Sequence, residues 1–242
     1  MLASPRVCLC GLFYGADTYS SWLAPRLLNA EFIQLGEVAD IRLGLNAVAD
    51  VTRDLIQLGT ANIFSDAVVI DEPDNIGKYP MMRQLFNSRP ITAPITMWFD
   101  DDSCLVPGTD ISAWLDRIEK QLTEFAAIGS VYQQRFVGDQ IDWIKLQPWY
   151  CGLPVPPYAK FISGGWWAIR TDVLQQLNWP PENIKQRGGD VMLGEALRQN
   201  GFKIGHFRDG LWINANEDGV EAKAPRRRGI ETVAGASLSD GY

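Results

Sequence analysis

The chain has 242 residues, 46% of them hydrophobic, which is enough for a substantial core in one compact domain. A formal net charge of −7 argues against binding nucleic acid through overall charge, although a local basic patch is compatible with it. Four cysteines without a C-x-x-C pair are too few for a disulfide scaffold and favour reduced thiols. The apolar N-terminal stretch is too short to span a membrane, so we expect a soluble cytoplasmic protein.

The first part of the chain alternates strand patterns with helical patterns. Strands are predicted over residues 6–13, 41–46, 67–70 and 95–99, and helices over 19–29, 51–58 and 79–87. We expect Asp50 to cap the second of these helices and Gly59 to end it. This alternation is typical of an α/β domain with a mostly parallel central sheet flanked by helices.

The second part of the chain is less regular. Residues 111–125 form the clearest amphipathic helical pattern, and residues 128–169, rich in aromatics, glycine and proline, predict irregular strands and loops. A further helix is predicted over 190–200, with Gly201 as its left-handed cap, followed by a strand over 203–207. We expect one domain over 1–216 and a polar, partly basic tail or lid over 217–242.

Three consecutive carboxylates, Asp100, Asp101 and Asp102, follow the predicted strand over 95–99. Such a cluster repels itself unless a cation is present, and Mg²⁺ or Mn²⁺ is the usual partner of convergent carboxylates. Ligands of open α/β sheets collect at the carboxyl ends of strands, where this cluster is expected. Alternation along an extended backbone would direct Asp100 and Asp102 to one ion and Asp101 elsewhere. A solvated acidic turn is the alternative interpretation.

Later motifs add an ordered pattern. Gly164-Gly165 comes next, then Gly189-Asp190 at a helix start, then His206, the single histidine. In this order the motifs resemble the signature of GT-A-fold glycosyltransferases, specifically family-two-like inverting enzymes that use nucleotide sugars. The resemblance runs from the first strand to His206. It implies a single Rossmann-like domain, a Mn²⁺ or Mg²⁺ cofactor and a nucleoside diphosphate sugar donor, for which we expect a UDP-sugar.

The resemblance also implies roles for individual residues. Asp100 and Asp102 would bind the metal and the donor, with Asp101 beside them and His206 completing the metal shell. Gly164 and Gly165 would form a loop near donor and acceptor, and Asp190 would be the catalytic base. Each feature also has an ordinary explanation: an acidic first helical turn, a core histidine, a glycine turn. The family commonly has an acidic pair before the base position, whereas this chain has Gly188-Gly189-Asp190.

Further residues are expected to contact the sugar donor and the acceptor. Polar or flexible positions near the ends of the first strands are expected to contact the donor: Gly11, Tyr14, Asn46, Asp71 and Lys78. The chain has nine tryptophans, and flat aromatic rings suit sugars and nucleobases, so Trp149, Trp166 and Trp167 are predicted to contact the acceptor.

The acceptor itself stays open at this stage. The chain loosely resembles phage-type enzymes that glycosylate hydroxymethylated DNA bases, by its general character and not by a defining motif. An extruded base would need an aromatic pocket. A carbohydrate or small-molecule acceptor is the alternative, as is a carbohydrate-binding protein without catalytic activity. A Walker A motif and a G-x-G-x-x-G motif are both absent from the sequence.

Overall fold

The computed structural model describes residues 4–15, 28–135, 138–185 and 188–213. The strands in these residues are β1 Val7–Tyr14, β2 Ala39–Asn46, β3 Val68–Glu72, β4 Ile95–Asp100, β5 Cys104–Leu105, β6 Ala127–Arg135, β7 Tyr158–Arg170, β8 Ile204–His206 and β9 Leu211–Trp212. The helices are α1 Ala30–Gly36, α2 Asp50–Ile63, α3 Lys78–Asn87, α4 Ile111–Leu122, α5 Gly138–Lys145, α6 Thr171–Gln176 and α7 Gly189–Gln199. Across the described ranges, none of the helices has the length and apolar character needed to cross a bilayer.

A seven-stranded sheet organises the domain in the order β3-β2-β1-β4-β7-β6-β8. Its neighbours pair in parallel except where β7 lies antiparallel to both β4 and β6. A second, small sheet pairs β5 with β9. The predicted α/β class with a mostly parallel central sheet is therefore confirmed.

Both faces of the sheet are covered, which explains the continuous apolar runs of the central strands. On one face α3 and α7 pack over the side chains of one hydrophobic cluster, and on the other face α1 and α4 pack over a second cluster. Strand β1 divides its side chains between the two: Cys8, Cys10 and Leu12 belong to the first cluster, and Val7, Leu9 and Phe13 to the second.

The helix predictions hold in part. Most of the helix predicted over 19–29 falls on residues that the structure does not describe; the described helix α1 begins afterwards, where the Asn29 side chain accepts a hydrogen bond from the Phe32 N–H at 2.9 Å. The predicted limits of α2 are wrong at both ends. Ala49, not Asp50, occupies the cap position, and the helix continues past Gly59 to Ile63. Burial of the helix face outweighs the modest helix penalty of one glycine.

The segment predicted as irregular is more regular than expected. It contains β6, α5 and the 13-residue strand β7, which includes Gly164 and Gly165. The expected irregularity remains in the loop over 146–157 and in a shift of the β6–β7 pairing between Gly129 and Val131. The predicted domain boundary at 216 and the tail over 217–242 lie outside the described residues.

A buried ion pair fixes the path from α3 to β4. Arg42, which has no exposed surface, donates hydrogen bonds to Asp40 Oδ2 at 2.7 Å and to the carbonyl oxygens of four residues at and after the end of α3: Leu85, Phe86, Arg89 and Pro90. Burial alone would raise the pKa of Asp40, but hydrogen bonds from Arg89 and Arg42 outweigh it and lower that pKa. Because Asp40 and these carbonyls all depend on Arg42, its guanidinium holds the connection together.

Replacing Arg42 by methionine is expected to lower the free energy of unfolding by about 3–5 kcal/mol, because Asp40 and several carbonyls lose their buried donor. Urea unfolding measures this loss. Arg170→Met is the matched control: its pair with Asp172 is exposed, at 40% and 68% of the two side chains, and should cost at most about 1 kcal/mol. Equal losses in the two variants would contradict the role given to Arg42.

Candidate active site

The aspartate cluster lies at the carboxyl end of β4. The strand ends at Asp100, and the Ser103 N–H donates to the Asp100 carbonyl at 3.0 Å, which closes a turn. Asp101 and Asp102 therefore lie in the turn, and the expected alternation of an extended backbone does not apply to them. Asp101 is 2% exposed and Asp102 is half-buried. The cluster is at the predicted place, with a different backbone shape.

Lys78, the first residue of α3, pairs with Asp100. Its Nζ lies 2.6 Å from Asp100 Oδ2 and donates to the Gly164 carbonyl at 2.9 Å. The other Asp100 oxygen, Oδ1, accepts a hydrogen bond from the Trp98 indole at 2.7 Å. The Lys78 ammonium also lies 5.7 Å from the centre of the Trp98 ring, within cation–π range. Asp100 thus has partners on both oxygens.

Gly164 and Gly165 lie inside strand β7 and do not form the loop expected from the sequence. They pass beside the end of β4, because Phe99 pairs with Trp166. A Cβ atom added to Gly164 would lie 2.9 Å from Lys78 Nζ and 3.8 Å from Asp190 Oδ2. Gly164 therefore leaves open a space that the Lys78 ammonium and the Asp190 carboxylate both border.

Asp190 lies in the first turn of α7, as predicted. Its Oδ1 accepts a hydrogen bond from the Val191 N–H at 3.0 Å. Burial raises the pKa of Asp190; Lys78 opposes this shift by stabilising the charged form, and Asp100 adds to it by repulsion. Burial thus increases the proton affinity of Asp190, which suits a general base, and the Lys78 charge favours its ionised form.

Tyr79 packs directly beneath the start of α7. A Cβ added to Gly189 would lie 2.0 Å from the Tyr79 ring, so only glycine fits at position 189. The Tyr79 N–H donates to the Lys185 carbonyl at 3.1 Å, which links the start of α3 to the segment before α7. Lys78 and Asp190 are held close by this contact between their helix starts.

The residues predicted to contact the donor occupy different positions. Asn46 is 1% exposed, and its amide accepts from the Ile76 N–H and donates to Asn75, each at 3.0 Å, so it fixes the turn before α3. Gly11 lies in the middle of β1 and is buried, whereas Tyr14 ends that strand. Asp71 accepts a hydrogen bond from Arg53 at 2.8 Å beside α2. Of this set, Lys78 is in direct contact with the aspartate cluster.

His206 is remote from the aspartates. It ends β8, which lies three strand positions from β4 in the sheet, or about 14 Å at the usual spacing between strands. Its Nδ1 accepts a hydrogen bond from the Val131 N–H at 3.3 Å. The predicted ligand set of Asp100, Asp102 and His206 is therefore not brought together, because two strands separate the histidine from the cluster.

The three tryptophans predicted to contact the acceptor lie in the core. Trp166 has no exposed surface, and Trp167 and Trp149 are 3% and 4% exposed. The ring of Trp167 stacks on that of Trp98 at 6.2 Å between centroids. Burial leaves these rings no face for an acceptor, so the core interpretation of the tryptophans replaces the acceptor interpretation.

The carboxylates of the aspartate cluster can be compared with the ligands that a divalent cation needs. Across the described ranges, no three His, Cys, Asp or Glu side chains come together in a way that could hold a metal ion. Mg²⁺ and Mn²⁺ sites in enzymes of phosphorylated substrates need only one or two carboxylates, because the substrate supplies further oxygens. Asp102 is half-buried and follows Asp100, whose charge is balanced by its ion pair with Lys78. The Asp102 carboxylate has the ligand chemistry for a site shared with the substrate.

Two solved structures share this fold. A mannosyltransferase from Pyrobaculum calidifontis, in complex with GDP-Man and Mn²⁺, matches over 86% of this chain and 56% of its own, with 14% identity and a TM-score of 0.54. TarS residues 1–349 from S. aureus, in complex with UDP, matches over 84% of this chain and 58% of its own, with 13% identity and a TM-score of 0.54. No family model and no curated protein matches the sequence. The chain spans just over half the length of these solved chains.

The contacts of Trp98 and Tyr79 were not predicted. Trp98 and Asp100 are two residues apart on one strand, so the period of two along a strand could have indicated their contact. Nothing in the sequence indicates that Tyr79 lies against Gly189, because more than a hundred residues separate them.

Gly164→Ala is expected to displace the Lys78 ammonium from Asp100 while changing the free energy of unfolding by less than about 1 kcal/mol, because the added Cβ meets the flexible end of a lysine. A crystal structure of the variant and urea unfolding measure the two effects. Gly59→Ala is the control, since its Cβ would make ordinary contact with Leu28 at 3.5 Å. An unchanged distance between Lys78 and Asp100 in the variant would refute the steric argument.

Proposed function

We propose that the chain is a glycosyltransferase that moves a sugar from a nucleoside diphosphate sugar to an acceptor hydroxyl group. The observation that carries the proposal is the convergence of Asp190, Lys78 and Asp100 beside Gly164 at the carboxyl end of β4. This edge of an open α/β sheet is where ligands bind. The fold is shared with a mannosyltransferase solved with GDP-Man and with TarS solved with UDP, which supports a nucleotide-sugar donor.

Asp190 acts as the general base in this proposal. The acceptor oxygen attacks the anomeric carbon while its proton passes to the Asp190 carboxylate. The bond between that carbon and the diphosphate oxygen breaks, and its electron pair leaves with the diphosphate. One displacement with one base gives an inverted anomeric centre, so we propose an inverting enzyme.

The diphosphate needs positive charge as it leaves. Lys78, already at the site, is a phosphate ligand in this proposal. Asp102 would hold Mg²⁺ or Mn²⁺ together with the diphosphate, and the ion, when bound, would stabilise the negative charge of the leaving group. His206 and Asp100 have no part in this ligand set, because one is remote and the other is engaged by Lys78 and Trp98.

The acceptor is proposed only as a hydroxyl compound. The burial of Trp149, Trp166 and Trp167 removes the aromatic surface on which the modified-DNA interpretation depended. Hydroxymethylated DNA and free carbohydrates should be assayed side by side with UDP- and GDP-sugars, and incorporation of radioactive sugar then identifies the acceptor class.

A nucleotide-sugar donor is expected to stabilise the native protein by mass action, by about 2.7 kcal/mol at a hundredfold excess over Kd. Thermal shift measurements with UDP, GDP and their sugars, each with Mn²⁺ and with EDTA, test this and the role of the cation. A UDP-sugar is the donor expected from the sequence. If none of these nucleotides raises Tm in either condition, the proposed function is wrong.

Asp190→Asn should reduce kcat by about 10²–10⁴-fold and leave donor binding within a small factor, because the amide cannot accept the proton. Transfer assays and donor titrations measure the two quantities. Asp172→Asn is the matched control, since Asp172 also lies in the first turn of a helix but is exposed and paired with Arg170. Undiminished turnover in Asp190→Asn would remove the base assignment.

A further inference from the structure

We infer that Lys78 is a positioning residue for the base, and that its charge, shared between Asp100 and Asp190, holds Asp190 in the form that accepts a proton. This inference rests on the proposed function and deepens it, because it assigns to Lys78 a task apart from contact with the donor. The geometry of four elements carries it: the start of α3, the end of β4, the middle of β7 and the start of α7.

The position of the ammonium is set from several sides. Its contacts to Asp100 Oδ2 and the Gly164 carbonyl, at 2.6 and 2.9 Å, fix two of its directions. The ammonium and Asp190 Oδ2 both border the space beside Gly164, at 2.9 and 3.8 Å from the position that a Cβ atom there would occupy. Lys78 and Asp100 are only 15% and 20% exposed in their side chains, so water screens the charges less than at an open surface.

Among the residues that the structure describes, Lys78 and Asp100 are the charged groups that act on Asp190, and Tyr79 is the titratable group that Asp190 acts on in turn. Burial raises the pKa of Asp190, Asp100 raises it further, and Lys78 lowers it. Tyr79 stays neutral, because burial first and the two carboxylates next raise its own pKa well above the ordinary value. Lys78 therefore offsets burial and repulsion at the base, together with backbone hydrogen bonds from Val191 and Asp190.

A merely structural ion pair would give a different result. If Lys78 only joined α3 to β4, its loss would reduce stability and lower activity by the same factor at every pH. A positioning residue instead changes the pH at which the base becomes competent. Without Lys78, Asp190 binds its proton up to a higher pH, so the acidic limb of the pH profile moves upward.

The experiment compares the full chain with Lys78→Met, Lys78→Gln and Lys78→Arg, after thermal unfolding shows which variants fold. The pH dependence of kcat/KM is measured at saturating Mn²⁺, and the Asp190 carboxyl is titrated by NMR with ¹³C-labelled aspartate, using Asp190→Asn for assignment. Lys145→Met is the control, because Lys145 is 51% exposed and pairs with Asp142 on α5, away from the aspartate cluster.

We expect the acidic limb and the Asp190 titration to move to higher pH in Lys78→Met and Lys78→Gln, and to stay close to the wild-type position in Lys78→Arg. The loss of kcat/KM should be on the order of tenfold larger on the acidic limb of the profile than on its alkaline plateau, because the variants lose the ionised base first on that limb. Lys145→Met should leave both curves unchanged.

Two results would overturn the inference: an Asp190 titration that does not move when Lys78 is neutralised, or a loss in kcat/KM that is the same at every pH. Failure of the proposed function gives a different pattern. In that case the NMR titration moves as expected, but neither the wild type nor any variant transfers sugar from any donor; the coupling between Lys78 and Asp190 then stands, and its assignment to a glycosyl-transfer base falls.

Discussion

The ion pair between Lys78 and Asp100 is the interaction on which the arrangement of the candidate site depends. It joins the first residue of α3 to the last residue of β4, and the same ammonium reaches the backbone of β7 through the Gly164 carbonyl. The consecutive elements α3 and β4 and the sequence-distant strand β7 are thereby held at one edge of the sheet. The pair also relieves the repulsion that three consecutive aspartates would otherwise create.

The reversed direction of β7 gives the site its second component. A parallel strand would contribute its carboxyl end and a loop to this edge, but β7 runs antiparallel to β4 and passes the edge with residues from its middle. Backbone groups such as the Gly164 carbonyl are then available without a loop, in a rigid sheet. Helix α7, which packs on this strand, delivers Asp190 to the same point.

The fold was largely predictable, because apolar strand patterns and the helical periods between them are local properties of the sequence. The position of Asp100 and the helical start at Asp190 follow from the same local signals. The partners of these residues do not. His206 was grouped with the aspartates by order along the chain, whereas the order of strands in the sheet separates them. Trp166 and Trp167 carry the same sequence signal whether they face a ligand or the core, and only packing decides between the two.

The contact between Tyr79 and Gly189 restricts which residue can precede Asp190. The Tyr79 ring fills the volume that a side chain at 189 would need. The two positions are therefore epistatic. An acidic residue at 189 becomes sterically accessible only after position 79 has lost its large ring, so substitutions at these two sites would be tolerated in one order and not in the other.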